Sequence, residues 1–166
     1  MRVALATIAV VALLPEMALA GSGDRSARAG TARALAVRPI VLTHTAGRAI
    51  VFGRFTSGTL GGTINITSGG TVTRTGEVNF VTGSTTRTDA FSVSGDPGRA
   101  FGIVTTSGTV VSGARSMAFT TAPSASRTTI AANGRRTFSV GGRLTVAGNQ
   151  GVGSYTGTYL ATVTYN

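Results

Sequence analysis

The chain has 166 residues, of which 15 are basic and five acidic, so its formal net charge is +10 at neutral pH. All basic residues are arginines, and the sequence contains no cysteine or tryptophan. The absence of cysteine excludes disulfides, thiol catalysis and zinc sites built on thiolates. The arginines are dispersed, with only Arg135 and Arg136 adjacent, and no aromatic residues interleave with them. This pattern argues against nucleic acid as a partner and favours solvated strand faces.

The first 20 residues have the organisation of a secretory signal peptide. Arg2 supplies the positive charge, Val3 to Leu14 form the apolar stretch, and Ala18-Leu19-Ala20 fits the small residues before a cleavage site. The apolar stretch is too short to span a membrane, and Pro15 interrupts it. We therefore predict cleavage after residue 20, no integral membrane segment afterwards, and a location in the periplasm, at the cell surface or outside the cell.

After the predicted signal, residues 21–31 are small, polar and basic, which is typical of a flexible leader. Residues 31–38 (TARALAVR) then alternate, with Ala34 and Ala36 on one face and Leu35 and Val37 on the other. This alternation predicts a strand near residues 31–38. Pro39 lacks an N–H donor and belongs at a sheet edge or a strand junction.

The rest of the chain consists of short alternating runs separated by glycine, serine and threonine. No apolar spacing of 3.6 residues persists for three turns, and SGG at 68–70 and GDPG at 95–98 are turn signals. The predicted strands cover residues 62–67, 71–81, 89–94, 99–106, 109–111, 116–121, 137–146 and 154–166. We predict an all-β protein whose residues 32–166 form one immunoglobulin-like antiparallel β-sandwich.

Residues suited to catalysis are sparse. His44 is the single histidine, and no GxSxG motif presents a serine to it, so an exposed strand or loop histidine is the simpler interpretation. The carboxylates are too dispersed for a glycosidase pair or a calcium loop. The glycine runs lack the helix and lysine that phosphate-binding loops use. The sequence therefore predicts no enzyme, no cofactor and no metal site.

The sequence ends on an alternating stretch, GSYTGTYLATVTYN, residues 153–166. Its glycine is fourteenth from the end, and a tyrosine is next to last. In this relation the chain resembles subunits of fimbriae that periplasmic chaperones and outer-membrane ushers assemble. The resemblance implies a sandwich that lacks one strand, whose last strand pairs with a partner strand. The residues that it assigns to this contact are Gly153, Tyr155, Tyr159, Val163 and Tyr165.

Nearly all of residues 32–166 is also similar to a family of secreted bacterial proteins called domain of unknown function 4402. The similar motifs are RPIVLTHTAG, IVFGRFTSGT, AFSVSGDPGRAFGI and FSVGGRLTVAGNQGVGSYTGTYLATVTYN. The best-known fimbrial subunits pin their first strand with a disulfide, so this cysteine-free chain departs from them. The family resemblance carries a relation to pilin-like subunits as an expectation.

Two functions are consistent with these observations. The first is a secreted structural subunit of a fimbria-like surface assembly, in which Ala34, Leu35, Ala36 and Val37 complete the sheet of the next subunit by β-augmentation. Its partners are other copies or related subunits, with a periplasmic chaperone and an outer-membrane usher. The second is a monomeric secreted β-sandwich that binds an envelope, a glycan or a protein. The few aromatic residues weaken the case for glycan stacking.

Overall fold

The structure is a computed structural model that describes residues 28–166. The predicted signal peptide and most of the predicted leader lie outside the described residues. The chain divides into two units, one ending at Leu35 and the other spanning Ala36–Asn166. Residues 28–35 are exposed and contain no helix or strand, so the fold belongs to the second unit.

Ten strands and no helix occur in residues 28–166, and every pair of neighbouring strands is antiparallel. In chain order the strands are β1 (Val41–His44), β2 (Phe55–Ile66), β3 (Val72–Phe80), β4 (Asp89–Ser94), β5 (Ala100–Thr105), β6 (Gly108–Ser112), β7 (Arg115–Pro123), β8 (Arg127–Thr129), β9 (Arg135–Val146) and β10 (Ala161–Tyr165). The predicted all-β antiparallel sandwich is confirmed.

The strands form two sheets, and β9 organises the larger one. β9 pairs with β4 through residues 135–140, with β2 through residues 142–146 and with β7 through residues 140–144. β1 extends this sheet beside β4, β3 extends it beside β2, and β6 lies beside β7. The smaller sheet has the order β10-β5-β8. β1 and β10 are therefore edge strands of different sheets.

The core follows from the period-two pattern, because alternate residues of a strand face the same side. β4 shows the pattern clearly, since every second residue from Asp89 onward is buried. The first core cluster contains Ile64, Ile66, Val78, Met117, Phe119, Leu144 and Val146. The second core cluster contains Phe91, Val93, Phe101, Ile103, Ile130, Phe138 and Val140, and it joins the two sheets. Burying each large side chain contributes roughly 1.5–3 kcal/mol.

A bulge interrupts the long strand β2 and explains an error in its predicted boundary. The register between β2 and β3 shifts between Ser57 and Gly62. Gly61 has φ of 68°, and the Glu77 carboxylate accepts a hydrogen bond of 2.9 Å from the Leu60 N–H. Glycines and a polar cap made residues 57–62 resemble a turn. The strand begins at Phe55, so the predicted start at residue 62 was wrong.

The predicted strand over residues 154–166 is also wrong as one continuous strand. Thr156 forms an isolated bridge with Val111 of the larger sheet, whereas residues 161–165 pair with β5 of the smaller sheet. The chain changes sheets where Gly157 lies against the backbone of Thr109, leaving no room for a Cβ atom. Alternation in the sequence continues through the crossing, which is why it gave no boundary.

Candidate partner-strand site

β10 has one unpaired side. It pairs with β5, and no strand within residues 28–166 pairs with its other side. The Thr106 N–H donates to the Leu160 carbonyl at 2.9 Å, so the backbone N–H and C=O groups of Leu160, Thr162 and Thr164 point toward β5. Alternate residues of a strand direct their backbone groups to opposite sides. The open side therefore carries the backbone N–H and C=O groups of Ala161, Val163 and Tyr165.

The same three residues direct their side chains toward the second core cluster but are only partly buried. Across from them, Ile40 and Leu42 approach the cluster from β1 and the residue before it, and they are also partly buried. Phe101, on the neighbouring strand β5, is fully buried. Because the residues that pack over the second core cluster from β1 and β10 are only partly buried, this core is incompletely covered along the strip between the two strands. We call this strip the edge seam.

One end of the edge seam is closed by Tyr165. Its hydroxyl donates to the carbonyl of Arg38 at 3.0 Å and accepts the N–H of Asp96 at 2.7 Å. The Arg99 guanidinium lies over the tyrosine ring, 4.9 Å from its centroid. A Cβ atom at Gly95 would collide with the tyrosine hydroxyl. Tyr165 thus links the end of β10 to the segment that leads into β1.

The other end is closed by the carboxylate of Asp89, whose residue is only 4% exposed. Oδ1 accepts hydrogen bonds from the Ala90 N–H and from Nε2 of His44, each at 2.7 Å. Oδ2 accepts the hydroxyl of Tyr159 at 2.8 Å. The carboxylate thus joins the end of β1 to the residues that precede β10.

These two clusters define how the edge strands lie. The start of β1 lies near the end of β10, and the end of β1 lies near the start of β10, so the two edges are antiparallel. No backbone hydrogen bond in the described part of the chain connects them. The edge seam is therefore a strip with polar side-chain links at both ends and unpaired backbone groups between them.

The surroundings of Tyr159 keep its hydroxyl protonated, so that it remains a hydrogen-bond donor to Asp89. Burial, the hydrogen bond to Asp89 and the negative charge of that carboxylate, in decreasing order, raise the pKa of the Tyr159 hydroxyl well above its usual range. The side chain also packs against both core clusters. It consequently holds the chain where it passes from one sheet to the other.

His44 was predicted to face solvent, which is correct for only part of the side chain. The side chain is 49% exposed, but the ring is hydrogen-bonded to Asp89 and lies 4.9 Å from the ring of Phe91. No serine or threonine hydroxyl forms a hydrogen bond with the ring in the described residues. The same residues contain no group of three or more His, Cys, Asp or Glu side chains that could hold a metal.

The other predicted contact residues lie apart from the edge seam. Tyr155 packs against the first core cluster, and its hydroxyl donates to the Gly151 carbonyl and accepts from the Gln150 amide. Gly153 is exposed in the preceding loop, beside Ser112. The structure therefore brings Tyr159, Val163 and Tyr165 together at the edge seam, but not Tyr155 or Gly153.

The predicted donor residues are exposed in this chain. Ala34 and Leu35 belong to residues 28–35, and Ala36 and Val37 begin the second unit. Leu35 is 86% exposed, and residues 31–38 form no strand. Their pairing with a second copy stays a prediction.

The sequence did not reveal the part that Asp89 plays. It stands at the start of a predicted strand without any neighbouring motif, and its partners are 45 and 70 residues away in the sequence. Leu42 was also missed as a border of the seam, although its alternation with Ile40 was a usable signal.

The fold and this site define an antiparallel β-sandwich in which the edge strands β1 and β10, from different sheets, are not paired with each other. The family model described as "Domain of unknown function (DUF4402)" matches residues 42–165, and the chain belongs to this family. Neither the search of curated proteins nor the search of solved structures gave a match. In the described residues, no helix has the length and apolar character needed to cross a membrane.

Proposed function

We propose that the protein is a secreted structural subunit of a fimbria-like surface assembly, in which a strand from a neighbouring copy occupies the edge seam. The observation that carries the proposal is the combination of unpaired backbone groups and partly buried core side chains along β10. β-Augmentation needs both features, because backbone groups supply the pairing and side-chain pockets select the incoming strand. The role requires no catalysis.

The incoming strand would lie between β1 and β10. The backbone groups of Ala161, Val163 and Tyr165 would pair with it, and its larger side chains would cover the second core cluster. The candidate strand is the segment of residues 31–38 from another copy, with Leu35 and Val37 facing the core. Its small alanines, Ala34 and Ala36, would face outward.

A contact of this kind joins different surfaces on two copies. Such heterologous contacts do not close after two subunits and therefore extend into filaments. Before assembly, the open edge would require protection, and a periplasmic chaperone with an outer-membrane usher is the partner pair that we propose. Export would depend on the predicted signal peptide of residues 1–20.

The test is the size distribution of the secreted chain, residues 21–166, refolded from denaturant and measured by chromatography with light scattering. We expect a ladder of oligomers that collapses to monomer when a peptide of residues 31–42 is added in excess. The matched control peptide carries aspartate in place of Leu35 and Val37 and should leave the ladder unchanged. A sharp monomer that is indifferent to both peptides would reject the proposal and favour a monomeric binding module.

A matched variant of the chain separates donor from acceptor. Leu35→Asp with Val37→Asp should remove self-assembly, because the donor can no longer bury its apolar face. The same variant should still bind the peptide of residues 31–42, since its edge seam is unchanged. If the variant loses both properties, the seam and the segment do not act as partners.

A further inference from the structure

A cationic cleft lies beside the Tyr165 end of the edge seam. It has a volume of about 360 Å³, and it is lined by Arg38, Pro39, Ser94, Asn133 and Arg135 together with the glycines at positions 95 and 134. No residue of β10 lines it, and it shares only Arg38, the last residue of the proposed donor segment, with the proposed function.

The cleft is held open by two connected turns. The Gly95 N–H donates to the Gly134 carbonyl at 3.1 Å, and Gly134 itself adopts φ of 75°, which favours glycine. The Arg135 N–H donates to the side-chain oxygen of Asn133 at 3.0 Å, so the two amide hydrogens of Asn133 remain for another acceptor. An ideal Cβ at Gly134 would lie 3.9 Å from Nη1 of Arg38, which places this guanidinium at the wall of the cleft.

No salt bridge within residues 28–166 neutralises the arginines around the cleft. Among residues 28–166 no arginine forms a salt bridge with Glu77, Asp89 or Asp96, and the contact between His44 and Asp89 is a hydrogen bond. Asp96 follows Gly95 in the adjoining turn, yet it forms no ion pair with the arginines described here. On the other side of Tyr165, the buried Nε of Arg99 has no hydrogen-bond partner in the described structure. The region therefore carries uncompensated positive charge.

We infer that this cleft binds a phosphate group. Two guanidinium groups from different segments match a ligand with nearly two negative charges and three acceptor oxygens better than a carboxylate with one charge. The Ser94 hydroxyl and the Asn133 amide add uncharged donors. The segment of residues 21–33 of a second copy is an unsuitable ligand, because Arg25, Arg28 and Arg33 outnumber its single acid, Asp24.

The ligand could come from solution or from a lipid headgroup that ends in a phosphomonoester, since both present three unesterified oxygens. The experiment therefore uses two probes with the secreted chain: inorganic phosphate, measured by calorimetry, and vesicles of phosphatidic acid in phosphatidylcholine, measured by co-sedimentation. Arg38→Gln and Arg135→Gln should each weaken binding about tenfold or more, the effect of losing a charge-assisted hydrogen bond. Urea denaturation of each variant establishes that it is folded.

Arg143→Gln is the matched control, because it removes the same charge from the exposed face of the same strand, β9, outside the cleft. Phosphate binding that depends on Arg38 and Arg135 but not on Arg143 supports the inference and identifies a soluble ligand. Vesicle binding with the same dependence supports it and identifies a headgroup. Equal loss in all three variants, equal affinity for acetate, or no binding of either probe would overturn it.

Discussion

Two tyrosine hydroxyls, those of Tyr159 and Tyr165, link the ends of the edge seam, and each depends on a particular neighbour. The position of Tyr165 requires glycine at position 95, because the tyrosine hydroxyl lies where the Cβ atom of any other residue would be. We expect Gly95→Ala to lower the free energy of unfolding by roughly 1–3 kcal/mol through overpacking. Urea denaturation measures the change.

A double-mutant cycle shows whether the tyrosine hydroxyl is the cause. In a Tyr165→Phe background the hydroxyl is absent, and the nearest remaining ring atom is 3.2 Å from the Cβ position. The cost of Gly95→Ala should then fall, giving a coupling of about 1 kcal/mol. Strict additivity of the two changes would contradict the assigned contact.

The raised pKa of Tyr159 predicts that the folded protein loses stability at alkaline pH. The raised pKa of its hydroxyl means that the folded chain keeps a proton that the unfolded chain releases near pH 10. Its contribution is thus fully present below about pH 10 and is lost as the pH rises further. Between pH 9 and pH 11 the unaltered protein should lose more stability than Tyr159→Phe in urea denaturation. The control Tyr155→Phe, which removes a hydroxyl outside the Asp89 cluster, should behave like the unaltered protein.

At the scale of the strand, alternation identified most of the fold. Residues 89–94 were predicted as observed, and residues 71–81 differ from β3 by one residue at each end. Period two succeeds there because Phe91 and Val93 face a core while the residues between them face outward. It failed at β8 (Arg127–Thr129), which is three residues long and has no apolar residue to mark an inner face.

The edge seam was predictable only in part. Alternation in residues 159–165 showed that β10 has an inner face, and it correctly placed Tyr159, Val163 and Tyr165 on that face. Local pattern cannot show which side of a strand lacks a neighbour, because pairing depends on segments far away in the sequence. The contact between Tyr165 and Arg38 spans 127 residues and has no sequence signature.

The unpaired side of β10 gives a prediction about proline. Ala161→Pro removes an N–H that faces the edge seam and keeps the bonds to β5, and proline is tolerated at the first residue of a strand. We expect its free energy of unfolding to stay within about 1 kcal/mol of that of the unaltered protein, while its affinity for the peptide of residues 31–42 falls.

Thr162→Pro is the comparison for this change. It removes an N–H that pairs with β5 and leaves the acceptor on β5 unsatisfied, so it should destabilise the fold by roughly 1–3 kcal/mol. Unfolding and peptide titration of both variants measure the two effects. If Ala161→Pro binds the peptide as tightly as the unaltered protein, the incoming strand does not pair with this side of β10.

For the whole molecule, the family match concerns the folded core, whereas the charge distribution concerns the surface. The match covers residues 42–165, so it includes both core clusters and β10 but not the predicted donor residues 34–37. The charge belongs to the surface instead. Thirteen of the 15 arginines, all but Arg2 and Arg25, lie within residues 28–166, where Glu77, Asp89 and Asp96 are the acids.

This imbalance predicts that salt stabilises the fold. The arginines of residues 28–166 form no ion pairs with those acids. Screening by salt therefore weakens the repulsion among the arginines without breaking any arginine–carboxylate pair. Raising the ionic strength from 0.01 M to 0.15 M shortens the Debye length from about 30 Å to about 8 Å. The midpoint of urea denaturation should therefore rise with sodium chloride. His44→Ala is the control for the contact between His44 and Asp89, and its midpoint should rise equally. A midpoint that falls with salt would mean that attractive arginine contacts dominate the folded state.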